Sequence, residues 1–160
     1  MTGLRVGMGF DVHPFAADEG RPLVLAGVVF AGEQGLAGHS DADVVAHAVA
    51  DSILGAAGMG DLGTHFPDTD PAWQGADSLR LLAESVRLAG GAGWSVVNVD
   101  CSVILEVPRL APHKATMESN LAAIVGAPVS VKAKRAEGLG AIGRREGIAC
   151  YAVALLEATS

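Results

Sequence analysis

SDADVVAHAVADSILGAAG, residues Ser40 to Gly58, decides how the rest of the chain is read. Ser40 followed by Asp43 matches a capping box, and the Ala- and Val-rich run behind it predicts a helix that ends near Gly58. Such a helix is apolar on most sides, so it is expected inside the protein. It nevertheless carries His47 and Asp51, with Asp41 and Asp43 at its entrance. A dry interior accepts such groups only with partners, and a cation can serve several of them at once.

Working outward, Leu4 to Val12 reads as a strand broken by Gly7 and Gly9, and Leu23 to Phe30 as a second strand or hairpin arm. Downstream, Leu79, Leu82, Ala83 and Val86 repeat at helical spacing before Gly90, and Met117, Leu121, Ile124 and Val125 do so before Gly126. Val97 to Leu105 alternates as a strand, Val129 to Ala133 is a further strand candidate, and Ile148 to Leu156 is a strand by composition that periodicity also allows as a helix. Helices and strands interleave without repeats or linkers. The class is therefore α/β or α+β, in one domain over residues 1–160.

Composition narrows the function. A net charge of −7 with only 18% charged residues argues against a general nucleic-acid grip. Any phosphate must then be held locally. The two cysteines, Cys101 and Cys150, make no disulfide framework, and no apolar run is long enough for a membrane span, so a cytoplasmic protein is expected.

Asp11 and His13 lie two apart on the first strand and share a face. With His47 they would give a cation three ligands and leave a fourth position open, as catalytic zinc requires. Asp51, one turn beyond His47, is placed to accept the ring's second N–H. His39 and Ser40 stand at the predicted helix entrance, where free N–H groups favour an anion; Ser40 as a plain N-cap is equally compatible. Asp61, Asp68 and Asp70 sit in a Gly/Pro-rich segment, Gly60 to Ser78, either as turn formers or as acceptors for polyol hydroxyls. Near the end, Lys132, Lys134, Arg135, Arg144 and Arg145 surround Glu137 in a Gly-rich stretch that suits a diphosphate and a second hard cation, or else ordinary surface ion pairs.

Taken together, GMGFDVHPF (Gly7–Phe15), HSDADVVAHAVADSILGAAGMGDLGTHFPDTDP (His39–Pro71) and GRREGIA (Gly143–Ala149) resemble the 2-C-methyl-D-erythritol 2,4-cyclodiphosphate synthase family in order and spacing over nearly the whole chain. The resemblance implies an α+β fold, a mixed sheet with helices covering one face, assembled as a homotrimer with active sites between subunits. It implies zinc on Asp11, His13 and His47, and Mg²⁺ or Mn²⁺ on Glu137. His39 and Arg135 would act on the reacting phosphates. Ser40, Asp61, Leu62 and Gly63, with the loop Phe66, Pro67, Asp68, Thr69 and Asp70, would hold the methylerythritol phosphate.

LEVPRLA, that is Leu105, Glu106, Val107, Pro108, Arg109, Leu110 and Ala111, matches the family's cytidine pocket. Lys134, Ala136, Ala141 and Arg144 would complete the substrate surface. The implied reaction is intramolecular: the 2-phosphate of 4-diphosphocytidyl-2-C-methyl-D-erythritol 2-phosphate attacks the β-phosphorus and CMP leaves.

Two departures stand out. Lys134-Arg135-Ala136 replaces a Thr-rich segment, exchanging hydroxyl donors for cations and a methyl group. Ala141 stands where relatives often carry Phe on the trimer axis, and Arg145 replaces a glycine. The same residues also admit a non-catalytic trimeric nucleotide- and metal-binding homologue, or a metal phosphoesterase that activates water at the open position.

Overall fold

Ile148, Cys150, Ala152, Ala154 and Leu156 are buried while Tyr151 and Val153 between them are exposed, a period of two that makes Ile148–Leu156 a strand and not a helix. This strand is the centre of the sheet. The computed structural model describes residues 3–18 and 20–159. The chain runs β1 (Leu4–Pro14), β2 (Pro22–Leu25), β3 (Val28–Gln34), α1 (Val44–Ala57), α2 (Leu62–His65), α3 (Ser78–Gly91), β4 (Trp94–Ile104), α4 (Lys114–Val125), β5 (Val129–Lys134), α5 (Gly140–Gly143) and β6 (Gly147–Ala158).

The main sheet has the order β1-β6-β4-β5; β6 is antiparallel to both neighbours, and β4 and β5 pair in parallel across the α4 connection. It is a mixed sheet in an α+β fold. The inner face, with Val99, Cys101 and Val103 of β4 beside the β6 residues, packs under α1, α3 and α4 in one apolar core. Burying these side chains supplies the main driving force for the layer arrangement. Cys101 and Cys150 are free thiols inside it. Among the described residues no helix is long and apolar enough to cross a membrane.

β1 runs unbroken, against the expectation from its glycines. Gly7 and Gly9 do not break it, for β1 is continuous and pairs with β6 residue by residue. Their role is clearance. A Cβ on Gly7 would lie 2.0 Å from the Ser52 carbonyl oxygen, and one on Gly9 1.9 Å from that of Ala48, so only glycine lets α1 rest directly on the strand.

Leu23 to Phe30 is likewise two arms, not one. β2 and β3 are joined at Ala26 and Gly27, whose φ values of 50° and 71° give the left-handed pair a tight hairpin needs.

The helix entrance also differs from expectation. Ala42 has φ of 60°, outside the helical range, so residues before Asp43 cannot join α1. Asp43, fully buried, is the N-cap; its carboxylate accepts the N–H groups of Val45 and Ala46 and also those of Ala26 and Gly27 in the hairpin turn. It thereby ties α1 to β2–β3. The N–H groups expected to attract a phosphate at Ser40 are thus taken by a side chain of the chain itself.

Candidate active site

The sheet's alternation turns Asp11 and His13 toward the helix layer, and the glycine contacts bring α1 close enough for His47 to meet them. Asp11 Oδ2 lies 2.9 Å from His13 Nε2 and 2.9 Å from His47 Nδ1, and the two ring nitrogens are 3.2 Å apart. These three atoms form the group among the described residues that can hold a metal ion. The donor set fits: one carboxylate and two imidazoles suit a borderline divalent cation, and three protein ligands leave room for a fourth.

The electrostatics agree with the geometry. Burial disfavours the Asp11 carboxylate, but hydrogen bonds and charge from His13 and His47 outweigh it and hold its carboxyl well below the usual range. Burial would depress His47, yet Asp11 beside it, with the charges of Asp43 and Asp41, raises it instead. The pocket is poised for positive charge.

His47 Nε2 faces Ser78 Oγ at 2.9 Å and Ser40 Oγ at 3.1 Å. Asp51 does not accept the second ring N–H, contrary to the sequence expectation. Its carboxylate instead takes the Leu62 N–H at 2.7 Å, anchoring the entrance of α2 to α1. Helical spacing brought the two side chains to one face without fixing which way the carboxylate turns.

The metal group opens into a cavity of about 540 Å³ lined also by His39, Ser40, Asp51, Asp61, Leu62, Gly63, Phe66, Pro67 and Asp68. Asp61 caps α2 through the Thr64 N–H (2.8 Å) and hydroxyl (2.7 Å). Asp70 caps the short 3-10 turn Pro71–Trp73, its carbonyl 3.3 Å from His39 Nε2. Phe66 and Trp73 pack edge to face at 5.0 Å. Thr69 and Asp70 stay outside the lining. Trp73, Ser78 and Leu81 were not anticipated: Ser78 in sequence looks like any residue at a helix start, and its contact with His47 is long-range.

A second cavity, about 340 Å³, lies at the ends of β4 and β5 and is lined by Leu105, Glu106, Val107, Pro108, Arg109, Ala133, Lys134, Arg135 and Arg145. Arg135 donates from Nε and Nη2 to Glu106 Oε2 at 3.0 and 2.9 Å, which fixes its guanidinium. Leu110 and Ala111 line an adjoining hollow with Lys114. Ala136 and Glu137 follow β5, Glu137 with φ of 55°, while Ala141 lies in α5 and Arg144 pairs with Glu146 at 2.6 Å. The two cavities have no lining residue in common, so His39 and Arg135 are not brought together within one chain.

Residues 4–157 match the YgbB family. Over 159 residues the chain is 54% identical to the 2-C-methyl-D-erythritol 2,4-cyclodiphosphate synthase of Bordetella petrii, covering 98% of this chain and 97% of that one. The enzyme of the same name from Rubrobacter xylanophilus is 56% identical over 161 residues, with 98% and 97% covered. Among solved structures, the IspF CDP complex of Plasmodium falciparum superposes with a TM-score of 0.85 at 33% identity, covering 100% of this chain and 99% of that one. With its metal group, paired cavities and full-length similarity accounted for together, the chain belongs to the YgbB family of 2-C-methyl-D-erythritol 2,4-cyclodiphosphate synthases.

Proposed function

We infer that the chain converts 4-diphosphocytidyl-2-C-methyl-D-erythritol 2-phosphate into 2-C-methyl-D-erythritol 2,4-cyclodiphosphate and CMP, as a phosphorus–oxygen lyase of non-mevalonate isoprenoid precursor synthesis. The observation that carries this is the Asp11–His13–His47 group opening into a cavity walled by His39, Ser40 and the Leu62–Asp68 segment. CDP bound to the Plasmodium falciparum relative supports a cytidine-bearing substrate.

Zinc on Asp11, His13 and His47, and Mg²⁺ or Mn²⁺ on Glu137, would neutralise the approaching phosphates and polarise their oxygens. The chain's own groups do the positioning. His39 offers a hydrogen bond to the 2-phosphate end beside Ser40, and Asp61 and Asp68 accept from the polyol. Phe66 and Pro67 cover the carbon chain and exclude water. At the nucleotide end Arg109, Lys134, Arg135 and Arg145 outnumber Glu106, giving a cationic wall for the diphosphate where hydroxyls are absent. Folding the substrate between these ends brings nucleophile and leaving group in line, so orientation and charge stabilisation lower the barrier.

A homotrimer with sites between subunits completes this reading. The outer face of β1 and β6 presents Val6 (70% exposed), Met8 (67%), Phe10 and Tyr151, an apolar surface suited to burial against copies. The separate cavities are then two halves of one site, supplied by neighbouring subunits. Residues 1–160 act as one domain in the cytoplasm, without nucleic-acid or membrane partners.

The test is CMP and cyclic product formation by purified zinc-loaded protein, with and without Mg²⁺ and after chelation. Stoichiometric products that vanish on chelation support the synthase. Tight CDP binding without turnover would instead favour the non-catalytic homologue, through the loss of hydroxyls at Lys134-Arg135-Ala136.

A further inference from the structure

His47, Ser78 and Ser40 are all buried, and the hydrogens between them can be assigned by counting. The Ser78 hydroxyl donates to Asp41 Oδ1, whose carboxylate also accepts the Ser78 N–H at 3.2 Å and the Asp43 N–H at 3.2 Å. An ionised carboxylate only accepts, so the single proton of Ser78 is committed to Asp41. Ser40 Oγ accepts the Ala42 N–H at 3.0 Å and stands 3.2 Å from Ser78 Oγ, where its own proton goes. Both hydroxyl oxygens therefore turn lone pairs toward His47 Nε2, at 2.9 and 3.1 Å. The ring must carry its hydrogen there.

We propose that Ser78 and Asp41 are positioning residues for His47, holding it in the Nε2–H tautomer and so aiming the Nδ1 lone pair at the space shared with Asp11 and His13. With Nε2–H fixed, Nδ1 is the nitrogen that meets Asp11 Oδ2 at 2.9 Å; the proton they share without metal is the one a cation would displace to take both atoms as ligands. Asp51 makes no hydrogen bond to His47, its Oδ1 taking the Leu62 N–H instead. The chain Asp41–Ser78–His47 links the start of α3 to α1, so α3 docking and ligand orientation are one event. A ligating imidazole whose other nitrogen is fixed keeps both its tautomer and its ring angle. The inference rests on the metal reading of Asp11, His13 and His47.

The test combines zinc affinity, by competition with a chelator, and long-range ¹H–¹⁵N spectra of protein labelled at histidine nitrogen. In zinc-loaded wild type, His47 should show the proton on Nε2 and the metal-shifted resonance on Nδ1. Ser78→Ala and Asp41→Asn should weaken zinc binding on the order of 10–100-fold, with the far-UV circular dichroism of the metal-free protein unchanged. Asp41→Asn should also free the Ser78 proton to face the ring and populate the Nδ1–H tautomer. Wild-type zinc bound through Nε2, or variants that bind zinc as tightly as wild type, would overturn the proposal. The wild-type spectrum decides alone if a variant does not fold. No zinc uptake by wild type would instead remove the metal centre, and this inference with it.

Discussion

Asp11 and His47 come from different layers, one from the edge strand β1 and one from the buried helix α1, and meet at 2.9 Å between Oδ2 and Nδ1. Within the chain this contact joins the two layers at the mouth of the larger cavity. His47→Ala removes one of the three candidate ligands but leaves the Ala-rich helix intact, so the variant should fold and fail to take up zinc. With it goes several kcal/mol of charge stabilisation, a fall in kcat/KM on the order of 10³-fold. Metal analysis and CMP release measure both losses; near-normal turnover would end the zinc assignment.

Much of this site was legible locally. The two-residue spacing of Asp11 and His13 fixes a shared face once β1 is a strand, and His47 stands out as the imidazole of an apolar helix. What was not legible depended on distant backbone. Ser40 and Asp43 are both competent caps, and only the left-handed Ala42 decides for Asp43. Helical spacing points Asp51 toward His47 because spacing reports nearness; its actual partner, the Leu62 N–H, becomes available only when the loop folds back. Ser78 gives no signal in sequence, since its meaning lies in contacts across more than thirty residues.

Glu137 stands after β5, apart from the cavity that holds Asp11, His13 and His47. If it binds the second cation, Glu137→Gln removes a hard anionic oxygen without touching zinc. The Mg²⁺ concentration for half-maximal CMP release should rise by roughly tenfold or more, equivalent to about 1.4 kcal/mol, with zinc content unchanged. An unaltered Mg²⁺ titration would place the second cation elsewhere.

Among the described residues Asp43 is the best-connected buried side-chain acceptor, serving Ala26, Gly27, Val45 and Ala46. Asp43→Ala leaves these N–H groups without their acceptor, and each unsatisfied buried group costs about 1–3 kcal/mol. We expect a loss of at least about 3 kcal/mol, or a Tm lower by roughly 6–12 °C. Thermal unfolding followed by circular dichroism checks it; a change under about 1 kcal/mol would mean that water replaces the carboxylate.

Asp51 carries a testable pH signature. Burial pushes its carboxyl above the ordinary range, the Leu62 N–H opposes this, and the charges of Asp61 and Asp11 add to the rise. A carboxyl whose pKa rises on folding costs stability once ionised. The cost is absent below the unfolded value near 3.9, grows as pH climbs toward the folded value, and is constant above it. Asp51→Asn, free of this titration, should therefore gain on the wild type as the pH rises above about 4 in guanidinium unfolding of the metal-free protein. A difference that stays flat or runs the other way contradicts the buried, unfavourably ionised carboxylate.

Gly9 tests whether strand–helix clearance controls the metal group. A Cβ there would sit 1.9 Å from the Ala48 carbonyl oxygen and 2.7 Å from the Ser52 nitrogen, both backbone atoms that no rotamer change can move aside. Gly9→Ala must push α1 off β1, at a cost of about 1–3 kcal/mol or more, and the displaced helix carries His47 away from Asp11. Stability and zinc affinity should fall together. Gly90→Ala is the control: it lies in α3 with nothing within 4 Å of its Cβ position, and in a helix alanine is favoured over glycine by roughly 1 kcal/mol. That variant should be as stable as wild type or more so, with zinc affinity unchanged. If Gly9→Ala loses stability but binds zinc normally, the close contact serves packing alone and the metal group owes its geometry to the loops.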